Sequence, residues 1–229
     1  MPSVLITGAN RGIGLEFARQ YQAAGWQVIA CCRNPAAADD LAALAQSGSL
    51  SIEQVDVADL TSIDKLATAL ADISLDLLIN NAGIFTDTGA PFGQFNYDDW
   101  LRNFQVNTIG PAKMVEAFYP HLLRGDLRKV ACLSSQMASI SAAGRDGAYS
   151  YRASKAGLNG TMATLARELV DPLFHFYLFH PGWVATDMGG AEAPVKPRES
   201  VTKIREQIQT RNPEGGALFL TYDGTELHW

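Results

Sequence analysis

Tyr151 and Lys155 stand four residues apart in Tyr151-Arg152-Ala153-Ser154-Lys155, at the start of a stretch with helical spacing. On a helix that offset puts the phenol and the ammonium on one face. A fixed positive charge beside a phenol favours phenolate, and is expected to draw its pKa down from about 10 towards working pH. Such a group suits a general acid that protonates a carbonyl oxygen, or a base in the reverse direction. The plain alternative is an exposed tyrosine beside a solvated lysine, since the pattern arises often by chance. A second stretch supplies context. Thr7-Gly8-Ala9-Asn10-Arg11-Gly12-Ile13-Gly14 follows the apolar Val4-Leu5-Ile6 and precedes Leu15-Glu16-Phe17-Ala18-Arg19-Gln20-Tyr21, which has helical spacing. Strand, glycine turn and helix in that order bind phosphate. The glycines let backbone approach a pyrophosphate, and the helix N-terminus offers free N–H groups and a positive dipole end.

The elements that must position these residues alternate along the chain. Apolar runs at 4–6, 26–32, 50–55, 75–79, 129–133, 173–179 and 217–220 read as strands. Helical spacing occupies 15–21, 36–45, 61–71, 97–124, 150–170 and 199–210. Ser47-Gly48-Ser49 closes the second helix, Thr61 is expected to cap the third, and Gly110-Pro111 to interrupt the fourth. The strand runs are continuous rather than alternating, which predicts a parallel sheet covered on both faces. The expectation is a single doubly wound α/β domain of Rossmann type, with helices on both faces, over 1–229. Ligands of such sheets sit beyond the carboxyl ends of the strands. The stretches 7–14, Arg33, Asp56-Val57, 80–83, Ser135 and 181–186 all fall there. The least regular segment, 185–197, is expected to form a mobile substrate lid reaching to about residue 200.

Bulk properties narrow the function. A chain of 229 residues, 47% hydrophobic and 18% charged, can bury one sizeable core. A net charge of −6 without a basic stripe disfavours nucleic acid and anionic membrane surfaces. Cys31, Cys32 and Cys132 lie in apolar runs, as core residues in a reducing compartment do. No CxxC or histidine-rich spacing suggests a metal, and His180, before a Pro-Gly turn, reads as structural. Gly-x-Ser-x-Gly is absent, which disfavours serine hydrolase chemistry. No signal peptide or membrane span is expected, so the location expected is cytoplasmic.

Taken together, these motifs resemble the short-chain dehydrogenase/reductase family over essentially the full length. Thr7-Gly8-x-x-x-Gly12-x-Gly14 matches that family's cofactor motif. Asn80-Asn81-Ala82-Gly83 matches the motif that steadies the central sheet and lines the adenine-ribose side. Asn107 stands where the family keeps a helix-bending asparagine, and Ser135, Tyr151 and Lys155 where it keeps its catalytic serine, tyrosine and lysine. Pro181-Gly182-Trp183-Val184-Ala185-Thr186 matches the turn holding the nicotinamide and then the pyrophosphate. The resemblance implies that Tyr151 donates the proton and that Ser135 steadies the developing alkoxide. Lys155 would lower the tyrosine pKa and hold the nicotinamide ribose. Asn107, through its backbone carbonyl and water, would link Lys155 to solvent.

Ser135 precedes Tyr151 by more residues than in many members, the extra length lying in 142–147. With Tyr222-Asp223-Gly224, that loop looks like the subgroup containing C-factor and the sniffer-type carbonyl reductases. Ser134 competes with Ser135, but adjacent strand residues point to opposite faces, and Ser135 is the choice. Ala138 has no hydroxyl to offer.

The implied cofactor contacts are Gly8, Asn10, Arg11, Gly12, Ile13, Gly14, Asn80, Ala82, Gly83, Tyr151, Lys155, Pro181, Gly182, Val184 and Thr186, with Asp56 and Val57 framing the adenine. NAD-users keep a carboxylate near the end of the second strand. Here Cys32-Arg33 stands there, with Arg11 in the glycine loop, so a 2′-phosphate is welcome and NADP is favoured over NAD. Phe85, Gln136, Met137, Trp183 and Met188 would flank the nicotinamide as an apolar pocket for a carbonyl compound, although Trp183 and Met188 read equally as packing. The reading is an NADP-dependent carbonyl reductase or alcohol dehydrogenase acting on a small molecule, as a homodimer or homotetramer. The alternative is a cofactor-binding signalling or developmental protein resembling C-factor. An epimerase or dehydratase fits worse, because those relatives space the glycine motif differently.

Overall fold

The computed structural model describes residues 1–46, 48–86, 91–144, 147–170 and 173–229. Ser47 and, within the 142–147 loop, Arg145 and Asp146 lie outside the described residues. Strands β1 (Ser3–Thr7), β2 (Gln27–Cys32), β3 (Leu50–Gln54), β4 (Leu77–Asn80), β5 (Lys129–Leu133), β6 (His175–His180) and β7 (Ala217–Thr221) form one seven-stranded sheet. All neighbours pair in parallel, in the order β3-β2-β1-β4-β5-β6-β7. The order reverses between β1 and β4, which opens a crevice at their carboxyl ends.

Helices α1 (Gly12–Ala23), α2 (Asp39–Ala45), α3 (Leu60–Ala69), α4 (Tyr97–Phe104), α5 (Gly110–Arg124), α6 (Tyr149–Glu168) and α7 (Pro197–Thr210) cover the two faces. The pleat explains the continuous apolar runs. In β1, Leu5 joins a core with Phe118, Leu158 and Met162, from α5 and α6. Its neighbours Val4 and Ile6 join the opposite core with Phe17, Leu41 and Ile204, from α1, α2 and α7. Every one of these side chains is almost fully buried, each contributing roughly 1.5–3 kcal/mol of transfer free energy.

Three local expectations change. The second helix starts at Asp39, because Pro35–Ala37 forms a 3-10 turn and Ala38 is non-helical (φ −107, ψ 59). Two aspartates then open the helix, where the dipole favours negative charge. Asp59, not Thr61, caps α3, its Oδ1 accepting the Thr61 N–H at 3.0 Å. Gly110-Pro111 does not interrupt the column from 97 to 124. Instead a π-turn, Gln105–Ile109, joins α4 to α5, and Pro111 falls in the first turn of α5. Gly110 is there for space, since a Cβ on it would stand 2.5 Å from the Val57 carbonyl oxygen.

Beyond β6 the chain is irregular up to Lys196, and residues 197–200 of the expected lid belong to α7. Ser200 is fully buried, its Oγ donating to the Pro181 carbonyl at 2.7 Å. The loop is closed at its neck by a bridge between Val184 and Val195. The three cysteines are buried and free. Among the described residues no helix is long and apolar enough to cross a membrane, and no group of His, Cys, Asp and Glu could hold a metal ion.

Candidate active site

The glycine loop closes on the end of β4 through one amide. Asn81 Nδ2 donates to the carbonyls of Thr7 at 2.8 Å and Gly8 at 3.0 Å. In return Thr7 Oγ1 accepts the N–H groups of Asn81 and Ala82, both at 3.1 Å. Gly8 and Gly12 adopt positive φ (65° and 54°), and a Cβ on Gly14 would lie 2.2 Å from the Gly8 carbonyl oxygen. Asn10 and Ile13 are half-buried in the same turn. Arg11 occupies the N-cap of α1 without capping it by its side chain, and no acidic residue stands in the first turn. The loop therefore turns an uncapped, positive helix end towards the crevice, the arrangement that receives phosphate.

The expected cofactor residues are distributed around this loop. Ala82 Cα lies 3.0 Å from where a Cβ on Gly8 would be, and Thr186 Cγ2 3.2 Å from one on Gly12. Pro181 and Gly182, the latter at φ 86°, lead into the buried Val184. Asp56 is held by its Oδ1 accepting the Ala58 N–H at 3.0 Å, next to the buried Val57. Asn80 is turned inwards instead, donating to the Pro111 carbonyl at 3.4 Å and to Cys132 Sγ at 3.7 Å. Arg33 is exposed beyond β2. Arg11 pairs with Asp187, both side chains mostly exposed.

The chemistry-bearing residues meet on the other flank. Ser135, beyond β5, accepts the Met137 N–H at 3.1 Å and hydrogen-bonds the Tyr151 phenol. Ser134 faces the other way and donates to Asn159 Oδ1 at 2.6 Å, as strand alternation requires. Lys155 Nζ donates to the Leu133 carbonyl at 2.7 Å and lies 5.9 Å from the Tyr151 ring centroid. A Cβ on Gly83 would come within 3.4 Å of that Nζ, so the absence of a side chain there leaves room beside the enclosed ammonium.

The expected depression of the tyrosine pKa does not occur. Burial pushes Tyr151 up to about 12, partly offset by the Ser135 hydrogen bond, and brings Lys155 down to about 8. Desolvation outweighs the lysine charge because both groups are enclosed and the ammonium is tied to a backbone carbonyl instead of the phenol. Near neutral pH the phenol therefore carries its proton, the form a general acid needs.

Asn107 lies in the π-turn and is fully buried. Its Nδ2 donates to the Ile84 carbonyl at 2.9 Å and to Ser154 Oγ at 3.0 Å, and its Oδ1 accepts the Ile84 N–H at 2.9 Å. Phe85 stacks on Tyr151 with centroids 4.3 Å apart. Gln136 is exposed and Met137 half-buried, on the turn after Ser135. Trp183 and Met188 are 58% and 55% exposed, too open for core packing. Sequence reasoning passed over Thr7 and the amide role of Asn81, and also Asn103, Ser150 and Ser154. The last three are polar residues inside helices, and all are completely buried. Polar types at core positions of a helix are the signal that could have found them.

Comparison with known proteins agrees with this geometry. The family model described as short chain dehydrogenase matches residues 2–196. C-signal of Myxococcus xanthus is 40% identical over 163 residues, covering 71% of this chain and 98% of that one. The carbonyl reductase Sniffer of D. melanogaster superposes with a TM-score of 0.94 at 31% identity, with full coverage of both chains. The NADPH-bound carbonyl reductase from chicken fatty liver superposes at 0.93 and 31% identity, covering 100% of this chain and 94% of that one. The chain thus belongs to the short-chain dehydrogenase/reductase family, as an oxidoreductase of the C-factor and sniffer type acting on an alcohol or its carbonyl.

Proposed function

We propose that the protein is an NADP-dependent carbonyl reductase, working in reverse as an alcohol dehydrogenase, with Tyr151 as its acid and base. The observation that carries this reading is the meeting of Ser135, Tyr151 and Lys155 beside a glycine-lined crevice. The crevice fits a dinucleotide: side chains are missing at Gly8, Gly12 and Gly83, where backbone must approach, and α1 offers an uncapped N-terminus. A nicotinamide, when bound, supplies the hydride.

The chain's own residues do the rest. Tyr151 holds its proton at neutral pH and delivers it from Oη to the carbonyl oxygen. Ser135, already bonded to that Oη, donates to the same oxygen and stabilises its developing charge. Lys155 presents its ammonium to the ribose side of the crevice, and Asn107 holds the helix that bears it by bonding to Ser154. The Phe85 ring forms an apolar wall beside the phenol and excludes water from it. At the rim, Arg11 and Arg33 suit a 2′-phosphate, and the likeness to the NADPH-bound chicken reductase favours the same choice. The irregular segment before α7, carrying Trp183 and Met188, serves as the substrate lid.

The test is a panel of aldehydes and ketones, followed by loss of NADPH absorbance, with the binding of NADPH and NADH titrated separately. Turnover that Tyr151→Phe abolishes while NADPH still binds supports the proposal. Tighter NADH binding would overturn the cofactor choice alone. Tight cofactor binding without turnover of any carbonyl would favour a binding or signalling role, the reading that likeness to C-signal suggests.

A further inference from the structure

Two stacked rings, Phe85 and Tyr151, belong to different segments, one following β4 and the other opening α6. Each ring has a hydroxyl residue as its chain neighbour, Thr86 beside Phe85 and Ser150 beside Tyr151. Both hydroxyls accept from one amide. Asn103 Nδ2 donates to Thr86 Oγ1 at 2.8 Å and to Ser150 Oγ at 2.6 Å. An amide nitrogen carries two hydrogens, so both are used on these two segments. Asn103 is fully buried, and so is Ser150.

From this geometry we infer that Asn103 is a positioning residue, whose amide clamps the Phe85 loop to the Tyr151 helix and sets the stack of the two rings. Asn107, one helical turn later, repeats the device on the other side of Phe85, joining Ile84 to Ser154, the neighbour of Lys155. The segment 84–86 is thereby held from both sides of its ring. The spacing of four on α4 and its π-turn matches the spacing of four on α6, so two amides meet two serines in register. The bonds to Ser150 and Ser154 are shielded from water, where such bonds are stronger and a lost partner is costly, whereas the Thr86 arm reaches an exposed residue. The wall facing the phenol would then be set by α4, an element that carries none of the Ser135, Tyr151 and Lys155 group.

The effect on turnover rests on Tyr151 being the proton donor; the effect on the stack does not. The experiment uses full-length protein carrying 13C-labelled tyrosine, with the Tyr151 ring resonance assigned by its loss in Tyr151→Phe. Phe85→Leu gives the resonance position without the stacked ring. In Asn103→Ala the Tyr151 resonance is expected to move towards that unstacked position. kcat for a carbonyl substrate should fall about tenfold to a hundredfold while NADPH affinity stays within about twofold, as small misplacements near the reacting atoms do. Thr86→Val and Ser150→Ala each remove one arm and should move the resonance the same way, which decides the matter should Asn103→Ala fold poorly. A Tyr151 resonance that stays at its wild-type position in all three variants overturns the clamp, and a moved resonance with kcat unchanged overturns its part in turnover. A wild-type protein that turns over no carbonyl at all would remove the functional reading while the resonance still decides the clamp.

Discussion

On one side of the crevice, Asn103, Asn107, Ser150 and Ser154 are fully buried and bonded to each other and to the segment 84–86. On the other, Trp183 and Met188 are more than half exposed, and the Arg11–Asp187 pair has side chains 68% and 75% exposed. Both walls use polar contacts, but the medium differs. An amide–hydroxyl bond made out of water keeps most of its electrostatic strength, whereas an ion pair in water typically contributes about 0–1 kcal/mol. The contrast fits the division of tasks in the proposed function. Proton transfer needs atoms held to a fraction of an ångström, and Tyr151 and Lys155 sit on the buried wall. Substrate choice tolerates repacking, and Trp183 and Met188 sit on the open one.

That division breaks most visibly under paired substitutions. Ser135→Ala on the buried wall should lower kcat by about a hundredfold or more with little change in KM, the pattern of a contact made in the transition state. Trp183→Leu on the open wall should move KM by up to about tenfold and reorder the preferred carbonyls while kcat holds. Steady-state kinetics over the same substrates would check both, and equal loss of kcat in the two variants would sink the distinction.

A second pair compares glycines. A methyl group on Gly14 would lie 2.2 Å from the Gly8 carbonyl oxygen and 2.5 Å from Asn81 Nδ2, so Gly14→Ala should cost about 3 kcal/mol in urea unfolding and abolish NADPH binding. Gly190, in the irregular segment, has φ +79° and open space around it. Gly190→Ala meets only the backbone penalty, about 1 kcal/mol, and should bind NADPH normally.

The buried wall also carries a pH signature. Burial brings the Lys155 pKa down to about 8 from an ordinary 10.5. Between those values the unfolded chain binds more protons at this site than the folded one, so the site's contribution to stability rises with pH. Below about 8 both states hold the proton, and the fold bears the full cost of an enclosed ammonium. Lys155→Met removes this dependence. The urea-unfolding free energy of the wild type, relative to the variant, should therefore climb between pH 8 and 10.5 by on the order of 1 kcal/mol per pH unit. A difference that stays flat across that window would mean the lysine is effectively solvated.

The same distinction of medium governs what the sequence reveals. The alternation of strands and helices was legible because a sheet buried on both faces writes unbroken apolar runs, and β5 falls on 129–133 as read. The glycine loop was legible because its glycines stand at distinctive offsets between a strand and a helix, whereas Ser135, Tyr151 and Lys155 were singled out as a group through the family resemblance and the structure brings them together. The direction of the Tyr151 pKa was not, since spacing shows the lysine but not the burial around the phenol. Nor was the Asn103 clamp, whose partners lie 17 and 47 residues away along the chain. The passage from α4 to α5 was misread for a similar reason. Gly110-Pro111 carries a break signal locally, but a π-turn absorbs the proline and the Val57 carbonyl demands the glycine.

The smallest effect belongs to the exposed pair. Asp187 holds the Arg11 guanidinium, so under the proposed cofactor choice the carboxylate and the 2′-phosphate compete for one partner. Asp187→Ala should therefore tighten NADPH binding by about twofold to fivefold and leave NADH binding unchanged. The gain should disappear near 1 M salt, where screening acts within about 3 Å. Arg11→Ala should weaken NADPH binding selectively, and adding Asp187→Ala to it should bring no further change, because the competing carboxylate has nothing left to withhold. Fluorescence titration of the single and double variants with both cofactors measures this directly. An equal response of NADPH and NADH to Asp187→Ala would show that the pair acts on the irregular segment as a whole and does not select the 2′-phosphate.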